Sequence, residues 1–425
     1  MTSFDLETYS QGLSDFITAS PCASFTANTL ADIYSSRGFK PVDATKPWPR
    51  GAGRYFLRRK GALIAWIVPT GSPKGFRIIG SHTDSPAFKL KPTPDSFSPD
   101  GWGQLNVEVY GGMLPNSWLN RELGIAGIVY DRTGTSHQVR TNPIATIPQL
   151  APHLDRESAN HLELDRQQHL RPLWQVGGSS RQVLEVVAEQ AGLTGADEIS
   201  SHELYTFDTH APQRLGTAGE FLASARQDNL LSVYSATRAL LSLVDADYPE
   251  ENILISAAFD HEEVGSHTET GAAGPLLEQV LRRCARATGE SEAFERMLAA
   301  SSCLSADVAH SVNPNYPEKH DPDTRPVVGA GPVLKLNASQ RYATDAQGWH
   351  IWEDAARRSG VNTQRFVSKN TVTCGSTIAP MTATRLGITT IDVGVPILSM
   401  HAAREMCALS DQVEMTKIMR AYLQK

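Results

Sequence analysis

An apolar run that ends in an acidic turn sets the tightest limit on how this chain folds. Ile253 to Phe259 (Ile-Leu-Ile-Ser-Ala-Ala-Phe) is short, partly β-branched and free of polar alternation, the pattern of a buried central strand. Asp260-His261-Glu262-Glu263-Val264-Gly265-Ser266 follows directly. Successive side chains leave an extended segment on opposite sides, so one of the two adjacent glutamates can hold a metal while the other faces a substrate. A Glu-Glu pair on its own is more often a solvated acidic turn, because glutamate is seldom buried without a partner. The weight therefore rests on what the rest of the chain places beside it.

Apolar residues recur at helical spacing from Phe4 to Gly38, which predicts two helices. Short β-rich runs follow at Arg54 to Leu57, Ala62 to Val68 and Phe76 to Gly80, the last leading into Ser81-His82-Thr83-Asp84-Ser85. His82 and Asp84 are two apart and so share one side of an extended segment, which lets one meet a metal while the other orients it. A polar strand end is the ordinary alternative. From Pro92 to Leu222 the texture changes to short alternating runs rich in Pro and Gly, which points to a separate β-rich domain over 92–222, set between catalytic segments 1–91 and 223–425. The polar stretch from His153 to Trp174 shows no paired ligand spacing and reads equally well as exposed helix and loop.

The α/β texture returns at Arg226-Gln227-Asp228-Asn229, followed by a predicted buried helix over Leu230 to Val244, with Asp228 at its start, where a carboxylate meets free amides. Helices are expected over Pro275–Ala287, Glu292–Ala300 and Trp349–Gly360, and a last one from about Asp411 to Leu423. Strands are expected from Cys303 to His310, at Val333 to Leu336 with Lys335 in it, and from Ile388 to Pro396, ahead of Ser399-Met400-His401.

His82, Asp228, Glu263, Asp307 and His401 thus each lie at a strand end or helix start, and open α/β sheets collect ligands outside the carboxyl ends of their strands. Two histidines, two aspartates and a glutamate suit a pair of divalent ions about 4 Å apart with one carboxylate bridging. Mixed imidazole and carboxylate donors favour zinc, with manganese or cobalt as alternatives. Composition excludes other classes. A formal net charge of -7 argues against nucleic acid or an anionic membrane as the main partner. The 5 cysteines are scattered without a Cys-x-x-Cys, which indicates neither a disulfide framework nor a zinc knuckle and fits a reducing compartment. With no apolar core of signal-peptide length at the start and no run long enough to span a bilayer, a cytoplasmic protein is expected.

Gly80-Ser-His-Thr-Asp-Ser-Pro, Arg226-Gln-Asp-Asn, Asp260-His-Glu-Glu-Val-Gly-Ser, Asp307-Val-Ala-His, Gly331-Pro-Val-Leu-Lys-Leu-Asn, Gln340-Arg-Tyr-Ala-Thr and Ser399-Met-His, in that order, resemble the M18 family of metallo-aminopeptidases, the aspartyl aminopeptidases. The resemblance implies a three-layer α/β/α catalytic domain interrupted by a β-rich dimerisation domain, and self-association of dimers into a dodecamer. It implies His82 and Glu263 on one ion, Asp307 and His401 on the other, with the pairing left to geometry, and Asp228 as the bridge. Glu262 becomes the general base and Asp84 the orienting partner of His82. His153 is the implied donor from a neighbouring subunit, and His310, Lys335 and Tyr342 match substrate-contacting positions. The implied reaction is release of N-terminal residues, acidic ones first, from peptides with a free N-terminus. The chain departs from the family pattern at Asn313, Gln149 and Tyr110-Gly-Gly-Met-Leu, none of them a proposed ligand. A metal-dependent amidohydrolase or deacylase on the same scaffold, or an aminopeptidase preferring apolar N-termini, is the alternative. A non-catalytic binding protein has no reason to keep Glu262 and Asp84.

Overall fold

The computed structural model describes residues 4–157, 160–177, 181–244, 246, 251–289 and 291–425. The N-terminal reading above includes residues 1–3, and the polar segment includes residues 158 and 159; these lie outside the described residues.

The main sheet runs, in spatial order, Lys40–Pro41, Gly53–Arg59, Ala62–Val68, Asn252–Phe259, Gly75–His82, Ser302–Ala306, Thr389–Gly394, Val333–Leu336 and Gln364–Val367. Its four middle strands, from Asn252–Phe259 to Thr389–Gly394, are parallel. Their register pairs Phe259 with His82 and Ala306 with Val393, so the residues that follow each strand emerge at one rim. The Asn252–Phe259 strand is buried along its whole length, as its unbroken apolar run requires.

Alternate side chains divide the sheet between two cores. Ile64, Trp66, Ile78, Ile253 and Ile255 join the cluster containing Leu276–Arg286 and Ala293–Ala299, while Leu63, Ala65, Ile79, Leu254 and Ile391 join the larger one. That larger cluster packs the helices Leu6–Ala19, Ala23–Ser36, Gln227–Leu241, Ala346–Ser359 and Leu409–Leu423. The result is an α/β/α sandwich, with the apolar area buried on both faces as its main stabilising term.

The middle of the chain builds a second, antiparallel sheet in the order Ser136–Arg140, Leu123–Asp131, Ile199–Asp208, Ala87–Phe97, Gly103–Tyr110 and Leu173–Gln175, around a core that includes Phe88, Leu105, Ile125 and Leu204. A third, small sheet joins Gln213–Leu215, Phe221–Ser224, Glu405–Ala408, Pro396–Leu398 and Ala309–His310. It borders the rim at which the middle strands end.

The expected helices and strands are present, with most ends shifted, except that the runs expected over Cys303 to His310 and Ile388 to Pro396 each divide between the main and the small sheet, as Ser302–Ala306 with Ala309–His310 and Thr389–Gly394 with Pro396–Leu398. Ala346–Ser359 starts ahead of Trp349 because Asp345 accepts the Gly348 N–H at 2.7 Å and caps it. The helices Val183–Ala191 and Ala379–Leu386 were not among those expected: each is short, and Pro380 with threonines at 382 and 384 hides the second.

Candidate metal centre

Each expected ligand sits where a strand or loop reaches the common rim. His82 is the last residue of its strand and Asp307 the first beyond its own. Glu262 and Glu263 open a short 3-10 turn after Asn252–Phe259, and His401 lies in the turn between Pro396–Leu398 and Glu405–Ala408. Asp228 stands in the first turn of Gln227–Leu241 in a non-helical conformation, which turns it toward the others.

The five side chains converge. His82 Nε2 is 3.2 Å from Asp228 Oδ1 and 3.6 Å from Asp307 Oδ1. His401 Nε2 is 3.3 Å from Asp228 Oδ2 and 3.6 Å from Glu263 Oε2. Three ligand-like groups result: His82 with Asp228 and Asp307, Asp228 with Glu263 and His401, and His82 with Glu262 and Glu263. The pairing that the resemblance left to geometry can be compared with these groups: Asp307 gathers with His82 and Asp228, and His401 with Asp228 and Glu263, so Asp307 and His401 fall on opposite sides of Asp228. The cause is topological: Asp307 leaves the strand beside His82, whereas His401 arrives on a hairpin from the small sheet.

The donor set suits divalent ions. Two oxygens at its centre, Asp228 Oδ1 and Glu263 Oε1, are buried without a hydrogen-bond donor, a costly state for carboxylates that a cation relieves. Two imidazoles and three carboxylates are the ligand types of zinc and its neighbours.

A set of contacts behind the ligands fixes them. His82 Nδ1 is 3.1 Å from the Asp84 carbonyl and 3.3 Å from Asp84 Oδ1, which leaves Nε2 for the centre. The same Asp84 carboxylate accepts the Glu262 N–H and the Glu263 N–H, each at 3.1 Å, and the Tyr110 hydroxyl at 2.8 Å. Asp84 thus orients a ligand and sets the turn that carries Glu262. His401 Nδ1 meets the Gly112 carbonyl at 2.8 Å, again freeing Nε2. Neighbouring Gly111 has φ +76, and a Cβ there would lie 3.1 Å from Glu263 Cβ, so glycine is required by both conformation and space. Tyr110 and Gly112 had no role assigned from sequence, since they reach Asp84 and His401 from a different part of the chain.

Burial and crowding shift the titrating groups. Burial first, reinforced by Asp307, Asp228 and Asp84 against the pull of His82, lifts Glu262 to about 8. Burial and Asp228 raise Glu263 well above the carboxylate range despite His401 and His82. Asp228 moves the other way: burial opposes ionisation, but His401 and His82 outweigh it. Such opposed shifts within one cluster are typical of functional sites.

Of the expected substrate contacts, three gather beside Asp307. Lys335 is 2% exposed rather than a surface lysine; its Nζ donates to the Val308 carbonyl at 3.1 Å and lies 3.9 Å from Asp307 Oδ2. Its ammonium also sits 5.2 Å over the Tyr342 ring. His310 and Tyr342 both approach Phe366, with ring centroids 6.0 and 6.2 Å away. His153 lies in an exposed turn, and among the described residues none of the hydrogen bonds or ion pairs of the centre reaches it.

Comparison with known proteins agrees with this geometry. The sequence pattern of the family described as "Aminopeptidase I zinc metalloprotease (M18)" matches residues 16–423. A "Probable M18 family aminopeptidase 2" of Streptomyces avermitilis is 45% identical over 423 residues, covering 98% of each chain. One of the same name from Mycobacterium leprae is 39% identical over 420 residues, covering 96% of this chain and 97% of the other. Among solved structures, yeast aminopeptidase 1 (Ape1) superposes with a TM-score of 0.86 at 29% identity, covering 98% of this chain and 97% of that one. The mApe1 dodecamer from S. cerevisiae gives 0.85 at 30%, covering 97% and 95%. With the family pattern spanning nearly the whole chain and the metal-ligand types gathered at one rim, this protein belongs to the M18 family of metallo-aminopeptidases.

Proposed function

We propose that this chain releases N-terminal residues, acidic ones by preference, from peptides with a free N-terminus, using two divalent ions, zinc first among the candidates. The observation that carries this reading is Asp228, whose two oxygens face two separate histidines at 3.2 and 3.3 Å, the arrangement of a bridging carboxylate. His82 and Asp307 would hold one ion, and Glu263 and His401 the other. When bound, the ions supply Lewis acidity, which brings a water toward ionisation near neutral pH. Glu262 would take the proton of the attacking water and pass it to the leaving amine as the water oxygen bonds the first peptide carbonyl carbon and the C–N bond breaks. Asp84 keeps Glu262 in place by gripping its backbone N–H.

Lys335 supports the acidic preference. It is a buried ammonium with three donors, of which the Val308 carbonyl occupies one. A second reading has its own support: with Asp307 Oδ2 at 3.9 Å, Lys335 acts on a ligand and serves all substrates alike. The division into catalytic segments 1–91 and 223–425 and a dimerisation domain over 92–222 belongs to the same proposal, as does assembly into a dodecamer, which a solved relative forms. His153 is exposed in a turn, which fits a proposed role in a neighbouring subunit. Among the described residues no helix is long and apolar enough to cross a membrane; a cytoplasmic setting is part of the same proposal.

A peptide panel tests the reading. Free Asp, Glu, Leu and Lys N-termini are compared with the N-acetylated Asp peptide; the proposal expects Asp and Glu to be cleaved fastest and the acetylated peptide not at all. Cleavage of the acetylated peptide at a comparable rate would turn the reading to a deacylase or amidohydrolase.

A further inference from the structure

We infer that Glu405 is a positioning residue that ties the two halves of the centre together and sets the affinity of the site formed with His401. The inference rests on the two-ion reading above. Glu405 opens the strand Glu405–Ala408, is 2% exposed, and stands opposite Ser224 across the small sheet. Its two carboxylate oxygens serve different parts of the chain: Oε1 accepts the His401 N–H at 2.8 Å and Oε2 the Asp228 N–H at 3.1 Å. Its own carbonyl accepts the Gln227 side-chain amide at 3.0 Å, which closes the link on the other side of Asp228.

The two histidines are supported in different ways. His82 ends a strand in the middle of the main sheet, is 1% exposed, and has Asp84 against its ring. His401 rides on a hairpin turn at φ +67, a left-handed conformation that a histidine adopts at a cost and keeps only when its surroundings impose it. Its side chain is 31% exposed. Glu405 supplies one such constraint, because a buried carboxylate accepting a backbone N–H fixes the peptide plane from which the imidazole projects. It also fixes that plane relative to Asp228, the residue common to both groups. The His82 side has the sheet and Asp84 to fall back on, whereas on the His401 side the contacts that hold the residue itself are Glu405 on its N–H, the Gly112 carbonyl on its ring and the Leu114 N–H, which donates to its carbonyl at 3.0 Å. Loss of the Glu405 grip is therefore felt first at the Asp228–Glu263–His401 site.

The test is cobalt(II) titration of the metal-free full-length protein, followed by visible absorption and checked by metal content after gel filtration. Wild type, E405Q and E405D are compared, with H401A marking which spectral component belongs to the His401 site. E405Q is nearly isosteric but has a single acceptor oxygen, so one of the two N–H groups faces an amide nitrogen. E405D keeps the charge but shortens the reach, and stands in should E405Q not fold. The expected result is a 10- to 100-fold weaker His401 site, about the usual effect of removing a residue that orients a ligand, with the His82 site within about threefold of wild type. Affinities unchanged within twofold, or equal losses at both sites, overturn the assignment to Glu405. Wild type that takes up a single ion refutes instead the two-ion reading on which the inference stands.

Discussion

Lys335 shows how far burial can change the meaning of a residue. On an alternating strand a lysine ordinarily points to water, yet here the ammonium is enclosed, and an enclosed charge needs partners. Val308 and Asp307 supply them in part, and on the proposed acidic preference a substrate's carboxylate would complete the set. A charge-assisted hydrogen bond of that kind contributes about 1.5–3 kcal/mol, or roughly ten- to a hundredfold in kcat/KM. Lys335→Met keeps the stem and removes the charge, so activity on Asp and Glu peptides should fall by about that factor while activity on Leu changes little. Equal losses on all substrates would assign Lys335 to Asp307 instead. The convergence of the five proposed ligands and Asp84 was legible from sequence because each stands at or near a strand end or a helix start. Tyr110 and Glu405 were not: one reaches Asp84 from another sheet and the other works through backbone amides, and neither leaves a spacing to read.

At the level of elements, what could be read depended on whether an element's pattern reflects its own burial. The Asn252–Phe259 strand is buried throughout and its sequence says so. The eleven-residue strand Ala87–Phe97 contains Pro92 and Pro94 and a register shift between Leu90 and Asp95, so its pattern is broken where its pairing is. The pairing of ligands was closed to sequence for the same reason, since it follows from which strand neighbours which. Two of the ligand-bearing segments, the Glu262–Val264 turn and the 399–404 turn, have little of their own to hold them compared with the strands behind. Chelation should therefore raise amide hydrogen exchange over 260–266 and 399–404 while leaving Gly75–His82 and Ser302–Ala306 protected, and should lower the Tm. Uniform loosening of the main sheet would show that the ions support the fold as a whole, and no change would argue against bound ions.

For the whole molecule, the account places one functional group in a neighbouring chain. When inactive His153→Ala and inactive Glu262→Gln chains are assembled together, some centres combine an intact Glu262 with an intact His153 from the neighbour, and part of the activity should return. Verified mixed oligomers without recovery would confine His153 to its own chain or to no catalytic role. The central claim is that two ions share Asp228 and that Glu262 moves the proton, and metal content read together with turnover tests it most directly. Purified wild type and Glu262→Gln should each carry two divalent ions per chain by plasma emission, while the variant loses kcat by about 10²- to 10⁴-fold, the usual worth of a general base. A fully active wild type with one ion per chain, or a variant that keeps its ions and more than about a tenth of its turnover, would contradict the account.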